Sequence, residues 1–394
     1  MFDVCFILAG GRGERLRPLT DRTPKPLIAV DSKSIIEHQI DYLHARGIQN
    51  FVLLTGYKST EFEILIDRYR ERSHIRVRSL STPEEWLTLQ RLYAHRSEIC
   101  GDALILYGDN YAEVDLSFLY KRFKYRANTA ESLSVLAGKR QQSKSSSRTF
   151  KEDIGAFNPY HDIRETSVDI GFFCIKGSIL KDLLEKSKDV LDQRFEDWYF
   201  QNDDIERSYV PYFWNYLSIT DLDSLNEARN ALGPGITLFI DRDGVLVSSR
   251  SRSKYIDRKD DMLFNDVLLR AIRSNRDKIR HIGIVTNQAW AGPFIDIYKN
   301  QASYVEEHLQ AKAGIESVST HTCCHKIDER CCCRKPKPGL ILQSINMSKY
   351  PILPSRARFI GDSSSDEGVA RHMMLEYIDI RKADSGTIAS WFQH

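Results

Sequence analysis

ITLFIDRDG, residues 236–244, is an apolar run that stops on two carboxylates and a glycine. Such a run suits a strand covered on both faces of a parallel sheet. FDVCFILAGG (2–11) opens the chain in the same way, with a glycine turn in place of the carboxylates. In open α/β sheets the ligand lies outside the carboxyl ends of such strands. Two openings of this kind imply two consecutive α/β domains.

Outward from these openings, strand and helix patterns alternate. The first half reads as strand 4–9, helix 34–46, strand 50–55, helix 58–71 and strand 103–107. The second reads as strand 236–240, helix 264–278, strand 281–285, helix 301–313 and strand 356–360. ALGPG (231–235) follows a helix-like DLDSLNEARNAL and cannot continue it, so it marks a linker between domains at 1–230 and 236–394. KRQQSKSSSRTFK (139–151) is polar and serine-rich and reads as a surface loop.

The chain has 394 residues, 42% of them hydrophobic, which is enough for sizeable cores. Lys+Arg 56 against Asp+Glu 54 gives net +2, so no overall field favours nucleic acid or an anionic membrane. No apolar run nears the ~18 residues of a membrane span. The opening MFDVCFILAGG lacks the basic start of a signal peptide, so the expected setting is cytoplasmic. Cys5, Cys100 and Cys174 sit in apolar stretches and read as small core residues. The other five of the eight cysteines fall between 323 and 333, a density that points to metal rather than disulfides.

Asp241 and Asp243 can divide the labour of phosphoryl transfer. One attacks phosphorus, and the other protonates the leaving oxygen and then activates water. A lone Asp-x-Asp also fits an Asx turn, but this one has company. HIGIVTN (281–287) ends in Thr286 and Asn287, either able to bind a phosphoryl oxygen. RKPKPG (334–339) offers Lys335, and RFIGDSSSDEG (358–368) ends a third strand at Asp362, with Asp366 four residues on. These are the parts of a magnesium-dependent phosphoryl-transfer site.

Over roughly 236–380 the chain resembles the haloacid dehalogenase superfamily. The resemblance implies Asp241 as nucleophile, Asp243 as general acid/base, and Thr286 and Lys335 as holders of the phosphate. Asp241, Asp362 and the carbonyl of Asp243 would bind Mg2+, with Asp366 in support. In CCHKIDERCCCRKP (323–336), Cys323, His325, Cys331 and Cys333 can close a Cys3His zinc site with no open position, hence a structural one. Cys324 and Cys332 fall outside that register, although either can substitute. A zinc loop ending in C-R-K-P resembles the heptose bisphosphate and histidinol phosphate phosphatases, which implies a capless fold with Arg334 and Lys335 toward substrate. NQAWAG (287–292) departs from the NQSG-type turn of that family, and Trp290 either reshapes the pocket or packs on a loop.

LAGGRGERL (8–16) followed by TPKPL (23–27) lets backbone approach a triphosphate at Gly10, Gly11 and Gly13, with Arg15 and Lys25 neutralising its charge. Over about 1–230 this resembles the sugar-1-phosphate nucleotidyltransferases. That implies a nucleoside triphosphate and a sugar phosphate as substrates, and Asp109 in LILYGDN (104–110) as a magnesium ligand. Three departures stand out. WLTLQRL (86–92) replaces a glycine-rich base-binding turn, Glu-Lys-Pro is missing near DIRETSVDIGF (162–172), and Ser218-Ile219-Thr220-Asp221 replaces Asp-Ile-Gly-Thr. Asp169, Asp221 and Asp223 are the candidates for the missing carboxylate. The domain either catalyses or only binds.

The fold class expected is therefore two Rossmann-like three-layer α/β/α domains in tandem, the second with a zinc loop. A phosphatase yielding heptose 1-phosphate would feed a transferase making a nucleoside-diphosphate-heptose, with guanosine the base implied by resemblance to heptose-1-phosphate guanylyltransferases.

Overall fold

A computed structural model describes residues 1–72, 74–126, 132–138, 149–150, 167–252, 256 and 258–392. The described residues form two compact units divided between Leu232 and Gly233. The first ends on the helix Leu222–Leu232, and the second begins its sheet at Ile236.

In the first unit, Val4–Leu8 is buried at every position and lies inside the sheet. Asp102–Tyr107, Val4–Leu8, Asn50–Thr55 and Arg76–Ser81 are neighbours in that order, all parallel. The helix Ile35–His44 starts where Ser34 N–H donates to Glu37 Oε2 at 2.8 Å, the reciprocal bond of a capping box. The expected helix at 58–71 is a 3-10 turn, Ser59–Phe62, followed by an α-helix, Glu63–Arg70.

Beyond Asp102–Tyr107 the alternation fails. Ser167–Lys176 runs antiparallel to both Asp102–Tyr107 and Ser132–Gly138, and Arg207–Tyr212 then pairs parallel with Ser132–Gly138. The sheet is mixed, not purely parallel. Within the expected 139–151 loop, Thr149–Phe150 is instead a short strand on Ser167–Val168; residues 139–148 and 151 lie outside the described residues. Cys5 and Cys174 are buried as expected, but Cys100 is exposed. It stands at the turn made by Gly101 (φ +58°), before the strand enters the core.

The second unit has a five-stranded, wholly parallel sheet in the order Val318–Cys323, Ile279–Asn287, Ile236–Ile240, Ala357–Gly361, Glu376–Asp379. Ile236–Ile240 is central, so the Asp-Arg-Asp-Gly turn leaves from the middle of the carboxyl edge. Leu238, Ile240, Ile282, Ile284 and Ile360 pack with Leu268, Ile272, Val305 and Leu309 as one buried cluster. The helix Asp266–Ser274 is capped by Asn265, whose side chain accepts from Leu268 N–H at 3.1 Å. The helix Ile295–Ala313 starts six residues earlier than its sequence pattern suggests, and ends at Gly314 in the left-handed region. No helix among the described residues is long and apolar enough to cross a membrane.

Candidate functional site

Asp241 follows directly on the central strand, its N–H bonded to Ile360 O at 3.0 Å. Its Oδ1 lies 2.7 Å from Lys335 Nζ, and the same ammonium is 2.6 Å from Asp366 and donates to Val285 O at 2.9 Å. All three side chains are buried. Desolvation pushes the Asp241 carboxyl up to about 7, against the pull of Lys335, with Asp366 and Asp243 adding to the rise. The two carboxylates hold the Lys335 ammonium above its ordinary value despite burial. Asp366 Oδ2 accepts from the N–H groups of Asp362 (3.2 Å) and Ser363 (3.1 Å), so it fixes the turn that carries Asp362.

Carboxylate oxygens of Asp241, Asp362 and Asp366 lie within 4.8 Å of one another. Gly244 has φ +85°, and a Cβ there would sit 2.2 Å from Asp362 Oδ2. The missing side chain leaves a carboxylate-lined cradle at the strand ends, and hard oxygen donors of this kind suit Mg2+. Asp366 is already engaged by Lys335 and the turn, whereas Asp362 accepts no side-chain cation at this edge among the described residues.

Asp243 is gripped from behind. Arg242, fully buried, donates through Nε and Nη2 to Asp243 Oδ1 (2.8 Å) and Oδ2 (3.1 Å). Its guanidinium carbon stands 5.3 Å from the centre of the Tyr298 ring. Gln288 Nε2 donates to Asp243 Oδ2 at 2.5 Å and to Thr286 Oγ1 at 2.7 Å. Trp290, half-buried, donates its indole N–H to Gln288 Oε1 at 2.6 Å. Arg242 and Gln288 were missed by sequence reasoning, although Arg242 is the middle residue of the Asp-x-Asp signature itself.

Asn287 meets the backbone of Lys335. Its Oδ1 accepts from Lys335 N–H at 3.0 Å and its Nδ2 donates to Lys335 O at 3.2 Å. Its amide braces the backbone of Lys335 through its oxygen and one of its two N–H donors. Arg334 is half-buried and donates to His325 O at 3.3 Å. Cys323 Sγ lies 3.7 Å from His325 Nδ1 and 3.6 Å from Cys331 Sγ. Cys333 Sγ is 3.2 Å from His325 Nδ1 and 3.5 Å from Cys331 Sγ. These separations approximate the edges of a tetrahedron whose corners lie about 2.3 Å from a central ion, which fits zinc. Cys324 and Cys332 fall outside this set.

In the first unit, Lys25 is ion-paired with Asp109. Gly13 (φ +63°) has no room for a Cβ, which would lie 2.9 Å from Lys25 Cβ. Gly11 faces open space, but Gly10 does not: a Cβ there would be 2.4 Å from Arg91 Cζ. The absent side chain at Gly10 makes room for a guanidinium. Arg15 is exposed, and its charge helps hold the Asp221 carboxyl below its ordinary value, after hydrogen bonds from Ser224. Ile219 N–H donates to Asp109 O at 2.9 Å and Ser218 pairs with Asn110, so Asp221 lies on the segment beside Asp109. Asp223 is exposed, and Asp169 is buried with its carboxyl pushed up to about 8 by desolvation.

Residues 4–146 match the profile of the nucleotidyl transferase family. The first unit is thus a nucleotidyltransferase-type α/β domain. A D-glycero-beta-D-manno-heptose-1,7-bisphosphate 7-phosphatase of Helicobacter pylori is 30% identical over 132 residues, 33% of this chain and 73% of that protein. The chain belongs to the family of that phosphatase. A choline-phosphate cytidylyltransferase of Streptococcus pneumoniae is 43% identical over 67 residues, and a mannose-1-phosphate guanyltransferase of Gibberella zeae is 42% identical over 72. Those matches cover 17% and 18% of this chain, and only 29% and 20% of the relatives themselves. Among solved structures, the CTP:phosphocholine cytidylyltransferase of Streptococcus pneumoniae aligns at 19% identity, covering 58% of this chain and 98% of that one, with a TM-score of 0.45.

Proposed function

We propose that the chain is a bifunctional enzyme of sugar-nucleotide synthesis. Residues 236–394 form a haloacid dehalogenase-type phosphatase domain that takes heptose 1,7-bisphosphate to heptose 1-phosphate. Residues 1–230 form a transferase domain that joins this product to a nucleotidyl group, guanosine first, and releases pyrophosphate. The linker is 231–235. The observation that carries the reading is Lys335, buried between Asp241 and Asp366 at the carboxyl edge of a parallel sheet. The substrate for which the Helicobacter pylori relative is named supports the bisphosphate, and the guanyltransferase relative supports the base.

In the phosphatase step Asp241 attacks phosphorus while Lys335 neutralises the phosphoryl oxygens, and Thr286 donates a hydrogen bond to one of them. Asp243 protonates the leaving sugar oxygen and then takes a proton from the water that cleaves the aspartyl-phosphate. To do so, one of its oxygens must leave the grip of Arg242 and Gln288. Asp241 and Asp362, with the Asp243 carbonyl, would hold Mg2+, which supplies charge neutralisation. Cys323, His325, Cys331 and Cys333 would hold a structural zinc that stiffens the loop leading into Arg334 and Lys335. In the transferase step, Arg15 and Lys25 would offset triphosphate charge, and Asp109 would hold Mg2+. The nucleic-acid-free, small-molecule partnership and cytoplasmic setting belong to the same reading.

A second reading keeps the phosphatase and makes the first domain a binding module. Ser218, where the transferases have an aspartate by resemblance, favours it. Offering heptose 1,7-bisphosphate and each nucleoside triphosphate to the whole protein, with phosphate and pyrophosphate followed separately, decides between them. Asp241→Asn abolishes phosphate release and spares pyrophosphate release from supplied heptose 1-phosphate. Loss of both together would defeat the two-site reading, and pyrophosphate release by the wild type would defeat the binding-module reading.

A further inference from the structure

Arg91 is 2% exposed, and the hydrogen-bond acceptors around its guanidinium are all neutral. Nη1 donates to Thr55 O at 2.8 Å and to the Thr82 hydroxyl. Nη2 donates to the carbonyls of Trp86 (2.8 Å), Glu84 (3.0 Å) and Gly10 (3.3 Å). These acceptors lie at or just beyond the carboxyl ends of three neighbouring parallel strands, Val4–Leu8, Asn50–Thr55 and Arg76–Ser81. A buried guanidinium is costly unless its donors are met, and here one cation is met by two loops and the strand end between them.

The glycines around it are shaped by the same group. A Cβ at Gly56 would lie 2.0 Å from Arg91 Nη1, as one at Gly10 would clash with Cζ. Gly11, next in the loop, has nothing within 4 Å of its missing Cβ. The glycine loop thus has one face pressed on Arg91 and the next residue open. A second tie joins the same two loops at the surface, where Arg12 Nε lies 2.8 Å from Glu84 Oε1. Arg91 itself lies in WLTLQRL (86–92), the segment that stands where a glycine-rich base-binding turn is expected.

We propose that Arg91 is a positioning residue for nucleoside triphosphate binding, strapping the 82–86 loop to the glycine loop in place of that turn. The inference rests on the nucleotidyltransferase reading. With the strap in place the backbone from Gly11 to Arg15 is held before the nucleotide arrives, so binding does not have to order it. Without it the loops are free to part, and the loss falls on triphosphate affinity more than on the sugar phosphate.

The test uses the full chain as wild type, Arg91→Met, Arg91→Lys and Thr82→Val. Titration calorimetry with GTP, CTP, UTP, ATP and dTTP in magnesium gives Kd. Steady-state pyrophosphate release gives kcat and both KM values, and phosphate release serves as the internal control. Arg91→Met is expected to raise Kd and KM for the triphosphate at least about tenfold, with KM for sugar 1-phosphate within about twofold and phosphate release unchanged. Arg91→Lys, retaining a cation, recovers part of the loss. A merely structural Arg91 lowers the thermal midpoint and kcat but leaves the triphosphate KM at its wild-type value, which overturns the proposal. Should Arg91→Met not fold, Arg91→Lys and Thr82→Val decide: wild-type triphosphate KM in both overturns it, and raised KM in both supports it. A wild type that neither binds any triphosphate nor releases pyrophosphate overturns the transferase reading and this inference together. Active wild type with indifferent variants overturns only the inference.

Discussion

Trp290 donates its indole N–H to Gln288 Oε1 at 2.6 Å, and that bond decides which way the Gln288 amide faces. With the oxygen taken by Trp290, the amide nitrogen is the atom left to meet Asp243 and Thr286. The unusual aromatic in NQAWAG therefore does more than pack: it orders a side chain that touches the general acid/base of the proposed reaction.

Replacing that indole tests the chain of bonds. Trp290→Phe removes one hydrogen bond, worth about 1 kcal/mol, and lets the amide turn over. Phosphate release should fall about fivefold in kcat with KM little changed, and Gln288→Leu should fall further. Equal kcat in wild type and Trp290→Phe would show that the amide needs no guide.

Lys335 is the only cation drawn against two buried carboxylates in the second unit's site among the described residues. Lys335→Met leaves Asp241 and Asp366 buried without a counter-charge, and breaking such an arrangement costs about 3–5 kcal/mol. Urea unfolding should show that loss, and phosphate release should vanish. Unchanged stability would mean that the pair is already protonated without the lysine.

Gly244 separates the proposed magnesium cradle from ordinary turn geometry. Gly244→Ala adds a Cβ at φ +85° and 2.2 Å from Asp362 Oδ2, so Asp362 must move. Magnesium-dependent phosphate release should drop by at least about a hundredfold, given a loss of roughly 3 kcal/mol in transition-state charge stabilisation. An Ala variant with wild-type magnesium dependence would place the cation elsewhere.

The proposed zinc site can be tested without touching the carboxylates of the second unit. Plasma emission analysis should find one zinc per chain, lost in Cys331→Ser and Cys333→Ser and kept in Cys324→Ser. Chelation should reduce phosphate release as well as thermal stability, because the loop that would hold the metal runs into Arg334 and Lys335. Activity that survives complete loss of zinc would uncouple the two.

The first unit should show its own pH dependence. Asp169 is buried, and desolvation lifts its carboxyl from an ordinary 3.8 to about 8. The folded state thus keeps a proton that the unfolded chain releases. Its contribution is present below about pH 4 and is lost as pH rises toward 8, at about 1.4 kcal/mol per pH unit. Asp169→Asn should flatten that decline in chemical unfolding across this window. An unchanged slope in the variant would assign the titration to another group.

Local chemistry was legible where it repeats over short stretches. Apolar runs ending in Asp241, Thr286 and Asp362 were readable as parallel strands because both faces of such strands are buried, and the observed second-unit sheet is wholly parallel. The Cys3His set was readable because its four members lie between 323 and 333, where spacing alone limits the geometry. The antiparallel Ser167–Lys176 was not, since its pairing depends on which edge Asp102–Tyr107 leaves open. Tertiary structure alone decided which polar groups were already spent. Asn287 is committed to the backbone of Lys335, 48 residues away, and the space beside Gly10 is filled by Arg91, 81 residues away. A sequence shows which donors and acceptors a chain possesses; only folding, which buries them and demands that each be met, determines which remain for a substrate.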